Sequence, residues 1–174
     1  MTDQPSASPV RRILGIDPGL GLTGYACLAI DAPGAEPTIV EAGVLRLQPK
    51  TPMATRLAQL HEDLSQLMDE LKPDLVVVEQ LFSHYKHVRT AILMGHARGV
   101  ILQTAAARGL AIEELLPTEV KKAIAGFGHA TKIQMQQAVM WQCGLDELPS
   151  PPDVADAIAI GLCVARRLAS PQVV

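Results

Sequence analysis

Apolar residues fall into short runs near the start of the chain and into a three-and-four spacing after it. Arg12 to Asp17 and Tyr25 to Ile30 read as strands on either side of a glycine-rich turn, and Thr38 to Leu47, set off by Pro33-Gly34, reads as a third. Turn formers between runs this close predict an antiparallel meander. From Met53 to Leu71, the residues Leu57, Leu60, Leu64, Leu67, Met68 and Leu71 recur on one helical face. Leu75 to Val78 is wholly apolar and mostly β-branched, as in a strand covered on both faces. A long helix is predicted from about Tyr85 to Ala107, closed by Gly109, then a short strand near Leu110 to Leu116. Helices near Thr118 to Ala125 and Thr131 to Gln142 are separated by Gly126-Phe127-Gly128, and Pro149 to Pro152 introduces a last helix, Asp153 to Leu168. The expected class is α/β: a mixed five-stranded sheet, three antiparallel strands and then parallel ones, with helices on both faces.

Composition narrows the picture. The 174 residues suit one domain, expected over residues 11–170 after a loose Pro/Ser-rich tail at 1–10. Cys27, Cys143 and Cys163 form no C-x-x-C pair, so neither a disulfide framework nor a zinc site is indicated, and the expected compartment is the cytoplasm. No apolar run approaches the roughly 20 residues needed to span a bilayer. The net charge of −3 argues at first against a nucleic-acid partner.

Gly19-Leu20-Gly21-Leu22-Thr23-Gly24 follows a strand and has the spacing of a dinucleotide-binding loop, with Glu36 or Glu41 at the distance of a ribose ligand. Two points oppose that reading. The next residues, YACLAI, favour a strand and not the helix whose amides would hold a pyrophosphate. Asp17 would also set a carboxylate beside the diphosphate. Asp17 before Gly19 fits equally the phosphate loop of a sugar-kinase or actin-type ATPase lobe, an architecture of two lobes.

The acidic residues carry more. Asp17 ends the first strand and Glu79 ends the apolar run; if those strands are parallel neighbours, both carboxylates meet at the sheet edge where open α/β sheets bind ligands. Asp17 could also be a turn former before Pro18-Gly19. Glu79 is harder to dismiss, because a charge completing an apolar strand is costly unless partnered. Asp153 and Asp156 share a helix face, where Asp153 could equally act as a cap. Carboxylates without a Cys/His set suit hard divalent cations, and a pair of such ions can activate water and stabilise the leaving oxygen of a phosphodiester.

With Asp17, Glu79, Asp153 and Asp156 in this order, the chain resembles the RNase H-like nucleases. More narrowly, "GIDPGLGLTGYA", "VVVEQLF", "GHARGVIL", "VKKAIAGFGHATKIQ" and "PPDVADAIAI" resemble the RuvC-type Holliday junction endonucleases, from about Ile13 to Val164. The resemblance implies an RNase H-like fold and a homodimer that resolves four-way DNA junctions by symmetric paired nicking in recombination and repair. It implies two Mg²⁺ or Mn²⁺ ions per active site, 5′-phosphate and 3′-hydroxyl ends, and cooperation with the RuvA–RuvB branch-migration machine. It makes Asp17, Glu79, Asp153 and Asp156 the catalytic metal ligands. Another RNase H-like nuclease with a different nucleic-acid substrate is the nearest alternative.

Further residues follow from this resemblance. Phe82 reads as a wedge that stacks on an unpaired base, or as a core ring closing its loop. Tyr85, Lys86, Arg89 and Arg98 join it as expected DNA contacts, with Lys121 and Lys132 aligned to the family's DNA-contacting lysines. Lys122 is either a further contact or solvated surface. Ala91, Gly95 and Gly99 give the long helix a small-residue face, for a dimer interface or for packing on its own sheet. The charge objection then weakens. Residues 1–79 hold 6 basic and 11 acidic side chains, residues 80–145 hold 7 and 3, and residues 146–174 hold 2 and 4. The middle of the chain is basic, and the proposed ligands themselves contribute much of the negative charge.

Overall fold

A computed structural model describes residues 12–81 and 88–170. The expected tail at 1–10, the start of the long helix at Tyr85, and Phe82, Tyr85 and Lys86 lie outside the described residues. The strands are β1 (Arg12–Asp17), β2 (Leu22–Ala29), β3 (Thr38–Arg46), β4 (Leu75–Glu79) and β5 (Ala111–Leu115). The helices are α1 (Met53–Leu71), α2 (Val88–Ala107), α3 (Pro117–Ala125), α4 (Lys132–Cys143) and α5 (Pro152–Ala169).

The sheet runs in the order β3-β2-β1-β4-β5. β1, β2 and β3 pair antiparallel as a meander, and β4 and β5 extend the sheet in parallel to β1. β2 begins at Leu22, three residues before the expected start. The turn after β1 is tight enough that Leu22 already pairs with Arg46, and the Thr23 hydroxyl donates to the Gly19 carbonyl at 2.6 Å. A strand that starts within the motif and contains Gly24 removes the helix that a dinucleotide loop needs. Glu36 pairs with Arg166 and Glu41 accepts the Tyr25 hydroxyl, so neither acid is free for a ribose.

Each face of the sheet has its own core. On one side, Leu14, Ile16, Val76 and Val78 pack against Leu60, Leu64, Leu67 of α1 and Ala97, Ile101 of α2. On the other, Ile13, Leu28 and Val77 pack with Ile158 and Leu162 of α5, Val120 and Ile124 of α3, and Met135 and Val139 of α4. The alternation along β1 and β4 supplies both cores, since successive side chains point to opposite faces. The Leu75–Glu79 run is therefore apolar because both its faces are covered.

α5 lies unusually close to the sheet. A Cβ on Gly15 would come within 2.5 Å of the Ala157 carbonyl oxygen, and a Cβ on Gly24 within 2.1 Å of the Asp153 carbonyl oxygen. Glycine at these two positions sets how near the first turns of α5 approach the ends of β1 and β2.

Candidate active site

β1 and β4 are parallel, with Ile16 opposite Val78, so the next residues, Asp17 and Glu79, end neighbouring strands on the same edge. α5 starts over that edge from the second face. It begins at Pro152, and its N-cap Pro151 gives no side-chain cap, so Asp153 does not serve as the cap; it stands in the first turn with Asp156 one turn on. Asp17, Glu79, Asp153 and Asp156 all line one open cleft of about 510 Å³.

Two opposite charges come from α3 and α4. A Glu119 carboxylate accepts the Leu116 amide at 2.8 Å to start α3, and Pro117 occupies its first turn, where a missing N–H costs nothing. α4 starts in a reciprocal capping box: Thr131 Oγ1 accepts from Gln134 N at 3.3 Å, and Gln134 Oε1 accepts from Thr131 N at 2.9 Å. These starts deliver Lys121 and Lys132 to the cleft. Lys132 Nζ lies 3.8 Å from an Asp156 carboxylate oxygen while its own side chain stays largely exposed.

Burial and mutual repulsion govern the acids. Asp17 is pushed up to about 8, first by burial and then by Asp156, Glu79 and Asp153, with Lys132 opposing. Glu79 is pushed up to about 7, first by burial and then by Asp156, with Lys121 and Lys132 opposing. Burial also raises Asp156, against the pull of Lys132. Burial and neighbouring acids thus press all three carboxylates toward their protonated forms, and Lys121 and Lys132 pull against that shift at Glu79 and Asp156. Among the described residues, the cleft lining offers oxygen donors with no His or Cys. Among the described residues, no three His, Cys, Asp or Glu side chains close round a single point as they stand.

The family model described as "Crossover junction endodeoxyribonuclease RuvC" matches residues 13–164. The chain belongs to the RuvC family. A RuvC from Rhodopirellula baltica is 49% identical over 151 residues, covering 87% of this chain and 84% of that one. Among solved structures, Thermus thermophilus RuvC superposes with a TM-score of 0.78 at 32% identity, covering 89% of this chain and 93% of that chain. Thermus thermophilus RuvC in complex with a Holliday junction substrate gives 0.80 at 31% identity, covering 90% and 96%. The fold is thus that of RuvC and other RNase H-like resolvases.

Not every expected RuvC site residue reaches the cleft. Lys122 is exposed at the end of α3 and Arg89 is exposed at the start of α2, and neither lines it. Arg98, expected as a DNA contact, has partners within the chain. Its guanidinium is ion-paired with Glu114 of β5, and its Nε donates to the Glu79 backbone carbonyl at 3.2 Å. It is occupied in tying α2 to the ends of β4 and β5, which supports Glu79 from behind. The small-residue face of α2 also divides: Gly95 faces Leu81 of its own chain, whereas among the described residues nothing lies within 4 Å of a Cβ built on Gly99. Ala91 is half-buried beside exposed Ile92.

Two contributors escaped the sequence reading. Gly24 is the register partner of Asp17 and touches the Asp153 backbone, so it underlies both acids. Arg56 of α1 also lines the cleft and donates to the Leu20 carbonyl at 2.6 Å, holding the loop after Asp17. The glycine motif was the available signal for Gly24; an arginine on the apolar side of α1, one residue before Leu57, was the signal for Arg56.

Proposed function

We propose that this RuvC-family protein is a metal-dependent endonuclease that resolves four-way DNA junctions by paired nicking. The observation that carries the proposal is the convergence of Asp17, Glu79, Asp153 and Asp156 in one cleft, flanked by Lys121 and Lys132. A phosphodiester cannot approach that many carboxylates unaided, and four oxygen donors without His or Cys suit Mg²⁺ or Mn²⁺. When bound, a pair of divalent cations would supply activation of the attacking water and stabilisation of the leaving 3′ oxygen.

The chain's own residues do the rest. Burial and neighbouring acids raise Asp17 to about 8 and Glu79 to about 7, so near neutral pH the free site would keep part of its charge neutralised, and binding of divalent cations there would be coupled to proton release. Lys132 and Lys121 lower the cost of that ionisation and present cations to the phosphates beside the scissile one. Arg98, through the Glu79 carbonyl, and Gly24, through the Asp153 backbone, position two of the four acids.

The dimer belongs to the same proposal. α2 is apolar inward, at Ala97, Ile101 and Ala105, and also outward, where Val88 is 51% and Ile92 56% exposed. A helix apolar on both sides asks for cover on both, and a second copy on the Ile92–Gly99 face would set two clefts about a two-fold axis, matching a junction cut in two symmetric places. Cooperation with a RuvA–RuvB complex is the further implication of family membership. No helix among the described residues is long and apolar enough to cross a membrane.

The substrate class is tested by offering labelled four-way DNA, duplex DNA and RNA–DNA hybrid to the protein with Mg²⁺ or Mn²⁺. Preferred cleavage of the four-way DNA is expected; preference for the hybrid would reassign the protein to another nuclease activity of the same fold.

A further inference from the structure

A second groove, of about 230 Å³, adjoins the catalytic cleft on the α1 side of the sheet. The two share one lining residue, Arg56. Arg46, at the end of β3, and the neutral side chains of Gln48, Thr51, Thr55 and Gln59 complete most of the groove. Its one acid, Asp63, accepts a hydrogen bond from Gln59 Nε2 at 2.7 Å. Seven residues separate Asp63 from Arg56 on α1, about 10 Å along the helix. The lining is thus cationic at the end that meets the cleft and rich in amide and hydroxyl donors beyond it.

Arg56 is built for more than its contact with Leu20. One Nη2 hydrogen goes to the Leu20 carbonyl at 2.6 Å, and Nε is buried with no hydrogen-bond partner among the described residues. The fold therefore uses only part of the guanidinium's donor fork, and the side chain lines both cavities. Lys121 and Lys132 line the cleft from α3 and α4, and Arg56 lines it from α1. Cations consequently stand on both walls of the acidic cleft.

Building on the junction-nuclease reading, we infer that the DNA strand being cut continues past Arg56 into this groove, with Arg56 and Arg46 taking backbone phosphates beside the scissile one. Arginines with Thr and Gln donors are the side chains that hold phosphate oxygens without reading sequence. The occupant is therefore the substrate strand itself, held independently of base identity.

The test is fluorescence anisotropy of labelled four-way DNA in metal-free buffer across a salt series, for the wild type and for Arg46→Gln, Arg46→Glu, Arg56→Gln and Lys50→Gln. Lys50 is exposed nearby and does not line the groove. Arg46→Gln should bind about threefold to tenfold more weakly, and its plot of log K against log salt should flatten by about 0.7–0.9. Arg46→Glu should be weaker still, and Lys50→Gln unchanged in affinity and slope. Arg56→Gln should act like Arg46→Gln; because it also frees the Leu20 carbonyl, the Arg46 pair decides if that variant does not fold. Arg46 variants that keep wild-type affinity and slope would overturn the groove while leaving the nuclease reading intact. A wild-type protein that binds no four-way DNA would overturn both.

Discussion

Replacing Gly24 by alanine tests the geometry of the site with a single methyl group. The added Cβ would lie 2.1 Å from the Asp153 carbonyl oxygen and 2.8 Å from its carbon, against the 3.4 Å at which ordinary contact begins. The obstacle is backbone, so it cannot rotate away; the first turn of α5 and the end of β2 must part by about 1.3 Å. Asp153 rides on that turn and Asp17 sits opposite Gly24 in the sheet, so the separation falls between two of the proposed ligands. Oxygen ligands hold divalent cations within a few tenths of an ångström, and a misplacement of about 1 Å at a reacting centre costs on the order of 10²-fold in rate. Overpacking of this kind costs about 1–3 kcal/mol, which for a chain of this size lowers Tm by roughly 2–12 °C. Gly24→Ala should therefore fold, bind Mn²⁺ at least about tenfold more weakly, and cut four-way DNA about 10²-fold more slowly under single-turnover conditions. Arg-to-phosphate binding in metal-free buffer should be unchanged. A Gly24→Ala protein that cuts within about threefold of the wild-type rate would show that the close approach of α5 is not what places Asp153.

Other consequences can be checked alongside. Asp17→Asn should abolish cleavage and, because it removes a buried carboxylate pressed by three others, raise the Tm of metal-free protein at pH 8 by roughly 2–4 °C for each kcal/mol of repulsion relieved; an unchanged or lower Tm would argue against the electrostatics. The folded-state values of Asp17 and Glu79 lie above their ordinary ones, so the folded protein binds more protons than the unfolded chain. Stability of metal-free protein should then fall as pH rises from about 4 toward 8, while Mn²⁺ affinity, measured by titration calorimetry, rises over the upper part of that range with proton release. Arg98→Leu should lower cleavage more than metal-free junction binding, since the side chain supports Glu79 and is already paired with Glu114; a selective loss of junction binding would return Arg98 to the DNA interface. Ile92→Glu should shift sedimentation from dimer to monomer without unfolding, and a variant that stays dimeric would place the interface elsewhere.

Much of the frame could be read from local pattern. α1 spans Met53–Leu71 as its leucine spacing demands, and the continuous apolar run before Glu79 is a strand covered on both faces. The ends of the first strand and of that run already placed Asp17 and Glu79 on one edge, given parallel β1 and β4. What stayed hidden depends on partners distant in sequence. Arg98 looks like a free cation on a helix until β5 brings Glu114 beside it. Gly24 belongs to a motif that reads as a phosphate loop, and its actual use, admitting the Asp153 backbone, appears only when residues 129 positions apart are in contact. Arg56 is likewise one polar residue on a mixed helix face until the loop after Asp17 folds over it. Net charge misled for a related reason: the whole-chain sum of −3 conceals the excess of bases over acids in residues 80–145.

The central claim is that the Asp17, Glu79, Asp153 and Asp156 cleft cuts four-way DNA with divalent cations. The direct measurement is a denaturing gel of end-labelled four-way DNA incubated with wild-type protein, with and without Mg²⁺ or Mn²⁺, and with Glu79→Gln beside it. The account predicts paired nicks at symmetric positions, bearing 5′-phosphate and 3′-hydroxyl ends, only for wild-type protein with cation. Equal cleavage by Glu79→Gln, or equal cleavage in excess chelator, would contradict it.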